Sequence, residues 1–241
     1  MQNNDSFTVV LPVFNEQDNL DALFREIRNA AESTGKKWQA LFVDDCSSDG
    51  SLDVIKRIAD ENPETARYVT FAENRGQSAA FCAGFDAAET PVVITMDADG
   101  QNDPADIPAM LDEFCRGYDM VVGWRANRKD TLSKRIASKL ANKVRDAFTA
   151  DGVRDTGCSL KVMRREILLK LPRFRNMHRF LPALMRLQGA RISEVKVNHR
   201  PRITGVSKYS NWERGVQGIY DLIGVRWLMS RNLEYSIRER R

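Results

Sequence analysis

A mostly parallel α/β sheet flanked by helices is the fold class this chain predicts, and three observations carry the prediction. Apolar strand-like runs alternate with amphipathic stretches through the first 124 residues, which is the rhythm of βαβ units. Polar and acidic side chains gather where those runs end, at Asn15-Glu16, Asp44-Asp45 and Asp97-Asp99. No repeat, low-complexity tract or Pro/Gly-rich linker interrupts the 241 residues, so one large domain with at most an appendage fits their length.

The elements follow in order. FTVVLPV (7–13) reads as a buried strand, and residues 18–31 as a helix with Leu20, Leu23, Phe24 and Ile27 on one face. WQALFVD (38–44) is a second strand, followed by a helix near 51–60, the strand RYVTFA (67–72) and a helix of small residues over 77–88. PVVITMD (91–97), a helix over 104–116 and YDMVVGW (118–124) continue the alternation. Beyond them the pattern predicts a helix around 131–148, a strand near 158–163, a helix over 176–188, a strand over 191–198 and a last helix from about 211. In parallel sheets ligands bind beyond the carboxyl ends of the strands, so three polar strand ends on one edge make a site.

Composition narrows the classes. A hydrophobic content of 42% with 29% charge suits a folded soluble protein, and no segment approaches the roughly twenty apolar residues of a membrane span. The opening MQNNDSFTVV has no basic stretch, apolar core or small-residue cleavage site, so no secretory signal is expected and the cytoplasm is the expected compartment. Cys46, Cys82, Cys115 and Cys158 lie far apart, with only His178 and His199 as further soft ligands, which argues against a disulfide framework and a zinc site. Charge is sharply divided. Residues 1–124 carry 9 Lys and Arg against 23 Asp and Glu (net −14), and residues 125–241 carry 28 against 10 (net +18). An acidic half suits a divalent cation, and a basic half suits phosphates or an anionic membrane surface. No nucleic-acid recognition motif accompanies the basic half.

VITMDADGQNDP (93–104) concentrates the chemistry. Asp97 and Asp99 stand at i, i+2, a spacing that lets both point out of one strand end. An EF-hand loop fails, because its sixth position is Asn102 rather than Gly and its twelfth is Pro108 rather than Glu. A phosphatase of the haloacid dehalogenase type would want Thr or Val where Gln101 stands, and would carry its motif near the start of the domain. Asp103 suits an N-cap before Pro104. The remaining reading is a clamp in which Asp97, Asp99 and the Gln101 carbonyl hold Mg²⁺ or Mn²⁺, with open positions for diphosphate oxygens.

Taken in order, VVLPVFNE (9–16), LFVDDCSSDGS (41–51), NRGQSAAFCAGF (74–85), MDADGQNDP (96–104) and RITGVSK (202–208) resemble the family 2 glycosyltransferases of GT-A fold. Within these the chain is most similar to the dolichyl-phosphate mannosyltransferase-like polyprenyl-phosphate glycosyltransferases. The motifs run from residue 7 to about 210, which sets a GT-A domain over 1–210 and a basic amphipathic tail over 211–241. The resemblance implies that Pro12, Phe14 and Glu16 line the nucleotide pocket, with Phe14 where the family usually has Tyr. It implies that Val43 and Asp45 cradle base and ribose, while Asp44 reads equally well as a turn residue. Asp97, Ala98, Asp99 and Gln101 would form the metal and diphosphate corner. Arg202, Gly205, Ser207 and Lys208 match the family's R-x-x-G-x-S-K segment, whose Arg and Lys can bind the donor diphosphate and the acceptor phosphate. Arg125 and Arg135 would be further phosphate ligands. Asp99, Arg202 and Lys208 are thereby the residues expected to carry catalysis.

The acceptor class has a chemical argument of its own. A sugar hydroxyl needs a general base to take its proton, whereas a phosphate monoester is already anionic near neutral pH. Family members acting on hydroxyls place an acidic pair downstream of D-x-D, and here that region offers only Asp155, in VRDTGCSL. A polyprenyl phosphate, undecaprenyl or dolichyl, is therefore the expected acceptor, taking sugar from a UDP- or GDP-sugar. A saccharide or glycolipid hydroxyl acceptor and a non-catalytic nucleotide-sugar binding module are the alternatives. A sugar-1-phosphate nucleotidyltransferase is disfavoured, because LPVFNE stands where its G-x-G-T-R signature would be. From Trp212 onward, Val216, Ile219, Tyr220, Ile223 and Trp227 form an apolar stripe accompanied by arginines. It reads as an interfacial helix on the inner membrane face, or as a helix packed on the core or on a second subunit.

Overall fold

The computed structural model describes residues 4–126, 145, 146, 148, 149, 151–201, 211–233 and 239, with the backbone alone over 211–217. Seven strands form one sheet: β1 (Ser6–Val13), β2 (Lys37–Asp44), β3 (Ala66–Thr70), β4 (Val92–Thr95), β5 (Met120–Trp124), β6 (Lys161–Arg164) and β7 (Ile192–Lys196). Their spatial order is β3-β2-β1-β4-β6-β5-β7. β6 runs antiparallel to both its neighbours, and every other pairing is parallel. The carboxyl ends of β1, β2, β3, β4, β5 and β7 therefore share one edge with the amino end of β6, where Lys161 pairs in register with Thr95 and Val122.

Helices cover both faces because the strands are apolar on both. Phe7, Val9, Leu11 and Val13 of β1 enter one buried cluster with α1 (Gln17–Glu32), α2 (Ser51–Glu61) and α4 (Ile107–Cys115). Val10 points the other way, into a cluster with Phe81 and Phe85 of α3 (Gln77–Ala87), as alternation along a strand requires. The small residues of α3 let it lie close to the sheet, since a methyl at Gly84 would collide with Val10.

Several boundaries differ from the sequence reading, each for a local reason. β4 stops at Thr95, two residues before Asp97, so strand alternation does not aim the acid pair. The helix expected over 104–116 opens as a 3-10 turn (Pro104–Asp106), with Asp103 Oδ1 accepting the Ala105 N–H at 3.0 Å, and becomes α4 at Ile107 with Pro108 in its first turn. The helix expected over 176–188 begins at Asn176, in the left-handed region at φ 67°, as a 3-10 turn (Met177–Phe180) before α6 (Leu181–Leu187), which carries Pro182 in its first turn. A short helix α5 (Arg165–Leu168) follows β6 directly. The helix expected around 131–148 lies almost wholly outside the described residues.

The last helix, α7 (Asn211–Ser230), has two apolar faces. Leu222 and Val225 are buried in the α3 cluster, and Asp221 accepts a 2.9 Å hydrogen bond from the Asn176 amide. Ile219, Tyr220, Ile223 and Trp227 face outward, 57–79% exposed. These four residues of the stripe conspicuous in the sequence are thus not the ones that pack on the core. Among the described residues no helix is long and apolar enough to cross a membrane.

Candidate active site

The sheet's carboxyl edge collects the predicted residues. Beyond β1, the loop from Phe14 to Gln17 is sewn to the loop after β2. Asn15, in the left-handed region at φ 59°, donates its N–H to Ser47 Oγ (3.0 Å) and accepts the Ser48 N–H on its side-chain oxygen (2.8 Å). Glu16 N donates to Ser51 Oγ at 2.9 Å, and Glu16 Oε2 accepts the Asn19 amide at 2.7 Å. Pro12, Phe14 and Glu16 all keep partial exposure along this seam.

Val43 and Asp45, expected to cradle base and ribose, are both buried. Val43 is sealed in the α3 cluster, and Asp45 is 4% exposed. The Asp45 carboxylate accepts the N–H groups of Arg75 (2.7 Å) and Gly76 (2.8 Å) and the Asn74 amide (3.0 Å). Its role here is to fold the loop that starts α3, where Gly76 sits at φ 84°. Asp44 is a turn residue, as one reading of it held: it is buried, and it accepts the Ser47 N–H and the Thr70 hydroxyl.

Side chains drawn from three elements organise the acid pair. Asp99 is 8% exposed, and its Oδ1 accepts the Gln101 N–H at 3.1 Å across Gly100, at φ 73°. Gln101 thereby also orients Asp99, and its backbone carbonyl accepts the Arg200 N–H at 3.0 Å. The Asn102 side-chain oxygen accepts the Asp97 N–H (3.2 Å) and the Ser159 hydroxyl (2.7 Å), while the Thr95 hydroxyl donates to the Ser159 carbonyl (2.6 Å). Asp97 Oδ1 accepts the amide of Gln77, the first residue of α3, at 2.7 Å. Burial first, and the neighbouring Asp99 charge second, push the Asp97 carboxyl above the usual carboxylate range. Among the described residues no three His, Cys, Asp or Glu converge on a metal position. Two neighbouring hard carboxylates beside an amide oxygen nevertheless fit a Mg²⁺ or Mn²⁺ site completed by a ligand's oxygens.

Arg125, expected as a phosphate ligand, is paired within the protein. Its Nε and Nη2 bond both oxygens of Asp155 at 2.8 and 2.9 Å, with the two side chains only 13% and 17% exposed. Burial would raise the Asp155 carboxyl, but the Arg125 hydrogen bonds and charge prevail and hold it below the usual range. Lys161 went unremarked in the sequence. It is 3% exposed, donates to the Cys158 carbonyl, and has its ammonium drawn below the ordinary lysine range by burial against the charges of Asp97 and Asp155. A lysine inside the apolar run CSLKVM was the available signal. Ser78 Oγ meets His178 Nδ1 at 2.7 Å, and burial, with the Lys161 and Arg179 charges, depresses that imidazole to about 3. Arg135, Arg202, Gly205, Ser207 and Lys208 lie outside the described residues.

A parallel sheet with acids at its carboxyl edge and one antiparallel strand beside the acid-bearing strand is the architecture of the GT-A glycosyltransferases. Solved structures agree on the fold. Glucosyl-3-phosphoglycerate synthase from Mycobacterium tuberculosis, in complex with Mn²⁺, UDP and phosphoglyceric acid, superposes with a TM-score of 0.71 at 17% identity, over 96% of this chain and 80% of that one. The mannosyltransferase PcManGT from Pyrobaculum calidifontis, in complex with GDP-Man and Mn²⁺, gives 0.67 at 17% identity over 95% and 65%. Residues 8–171 match the family model of glycosyl transferase family 2, and the chain belongs to that family. The undecaprenyl-phosphate 4-deoxy-4-formamido-L-arabinose transferases of Salmonella typhimurium and Salmonella paratyphi B are 37% identical over 216 residues, 90% of this chain. The match takes in 66% of those relatives, so this chain spans just under two thirds of their length.

Proposed function

We propose that this protein is an inverting glycosyltransferase that moves a sugar from a UDP- or GDP-sugar to a polyprenyl phosphate, undecaprenyl or dolichyl, at the cytoplasmic face of a membrane. The observation that carries the reading is the acid pair beyond β4, supported from α3 by Gln77 and from the β6 side by Ser159 through Asn102. The names of the 37%-identical relatives support a polyprenyl phosphate as acceptor.

In this reading Pro12, Phe14 and Glu16 line the nucleoside, and Asp45 serves through the 74–76 loop that it folds. Asp97, Asp99 and Gln101 hold Mg²⁺ or Mn²⁺, which when bound neutralises charge on the diphosphate. An oxygen of the lipid phosphate attacks the anomeric carbon, and the bond to the nucleoside diphosphate breaks with its electron pair. That oxygen carries no proton, so no side chain has to act as general base. The only acid in the region where family members place a base is Asp155, and a carboxylate held below its usual range by Arg125 is a poor base. Arg202 and Lys208, with Arg135, supply the phosphate-binding charges and Ser207 a hydroxyl donor, while Arg125 is paired with Asp155. Residues 211–241 act as an amphipathic basic extension of the 1–210 transferase unit. The outward face of α7 rests at the headgroup level, with Tyr220 and Trp227 as amphipathic rings.

The test is incubation with Mn²⁺, a panel of labelled UDP- and GDP-sugars, and undecaprenyl or dolichyl phosphate, followed by extraction of labelled lipid. Asp99→Ala and Lys208→Ala are each expected to abolish transfer while the thermal midpoint stays near wild type. Undiminished turnover in excess chelator, or full activity in either variant, would overturn the assignment.

A further inference from the structure

The geometry points to Arg200 as a positioning residue for the loop that carries Asp99 and Gln101, an inference that rests on the divalent-cation reading of that loop. The stretch after β7 lies along the D-x-D loop and bonds to it at every step. Asn198 N donates to Asp106 Oδ2 (2.8 Å), and the Asn198 amide reaches Asp103 Oδ2 (3.3 Å). His199 and Asn102 form an isolated antiparallel bridge, and Arg200 N donates to the Gln101 carbonyl (3.0 Å). The Arg200 side chain then forks, with Nη1 on Glu26 Oε2 of α1 (2.6 Å) and Nη2 on Asp103 Oδ1 (2.7 Å).

One guanidinium therefore ties α1, the D-x-D loop and the exit of β7 together. The loop needs such a tie. Residues 99–103 have no regular helix or strand, and they pass through a left-handed glycine before the 3-10 turn that Asp103 caps. A two-pronged contact to carboxylates on separate elements is a task for arginine, because a lysine ammonium is a point charge that serves one prong at a time. Half-exposed ion pairs contribute little to global stability. The effect of this one is local: the guanidinium fixes Asp103 against α1, two residues beyond Gln101, and so anchors the end of the stretch in which the Gln101 N–H holds Asp99. Outer contacts of this kind orient metal ligands, and their loss typically weakens metal binding by about 10- to 100-fold.

The experiment compares wild type with Arg200→Gln and Arg200→Lys. Amide exchange over residues 99–106 is followed without ligand, and the Mn²⁺ concentration for half-maximal UDP binding is measured by calorimetry well below the thermal midpoint. Arg200→Gln is expected to speed exchange in that loop and to raise the Mn²⁺ requirement by at least about tenfold, with Arg200→Lys in between. Exchange at the wild-type rate overturns the proposal. Faster exchange with an unchanged Mn²⁺ requirement overturns it too, by reducing the clamp to a contact of the fold. Should wild type bind no UDP at any Mn²⁺ concentration, the divalent reading fails instead, and exchange in the ligand-free loop alone supports or overturns the clamp.

Discussion

Asp155→Asn separates the two acceptor chemistries. The substitution keeps the shape of the side chain and removes the charge that faces Arg125 across two bonds of 2.8 and 2.9 Å. Both partners are less than one-fifth exposed, so solvent screens the pair weakly. Removing one partner leaves a guanidinium without its counter-charge, at a cost of about 3 kcal/mol. For a domain of this size that lowers the thermal midpoint by about 6–12 °C. Were Asp155 the base that deprotonates a sugar hydroxyl, its amide would also cost about 10²–10⁴ in kcat. With a phosphate acceptor, kcat is expected to stay within about tenfold of wild type. The assay is transfer to undecaprenyl phosphate under saturating donor, well below both midpoints, with thermal melts alongside. A thousandfold fall in kcat with unchanged nucleotide affinity would refute the phosphate-acceptor argument, and an unmoved midpoint would refute the importance given to the ion pair.

Two further predictions concern His178 and α7. His178 binds its proton at about 3 in the fold against 6.5 in the unfolded chain. The unfolded state therefore takes up a proton first on acidification, and this contribution to stability is present above pH 6.5 and lost as pH falls toward 3, by about 2 kcal/mol at pH 5. Denaturant unfolding of wild type and His178→Gln at pH 7 and pH 5 reads that difference, and a His178 ring titrating near 6.5 in the folded protein would contradict it. For α7, Ile223→Asp with Trp227→Asp is expected to cut flotation with anionic vesicles at least about tenfold. The midpoint should hardly move, because both side chains are more than half exposed; equal flotation would remove this face from membrane binding.

Much of the fold was legible because burial on both faces of a parallel sheet leaves strong apolar runs, and each of the seven strands lies within or close to a run readable in the sequence. What failed were places where a proline or a left-handed residue set the geometry, as at Pro104, Asn176 and Pro182. The site was legible by residue type but less so by role. Asp97 and Asp99 stand together at the predicted edge, yet the loop contacts of Gln101 and Asn102 aim them rather than strand alternation. Asp45 and Arg125, read as ligand contacts, bond partners about thirty residues away within the fold. Periodicity carries no record of such pairs, since a carboxylate's partner depends on which loops the topology makes neighbours.

From residue order alone came the α/β class, the acidic edge, the kinship with family 2 transferases and the division into an acidic and a basic half. Those features are written in local pattern, which each segment expresses before it meets another. Tertiary structure decided which charges face each other, because that depends on contacts across the sheet. It also decided which stripe of α7 is covered: the body accepts Leu222 and Val225 and leaves Tyr220 and Trp227 to the solvent.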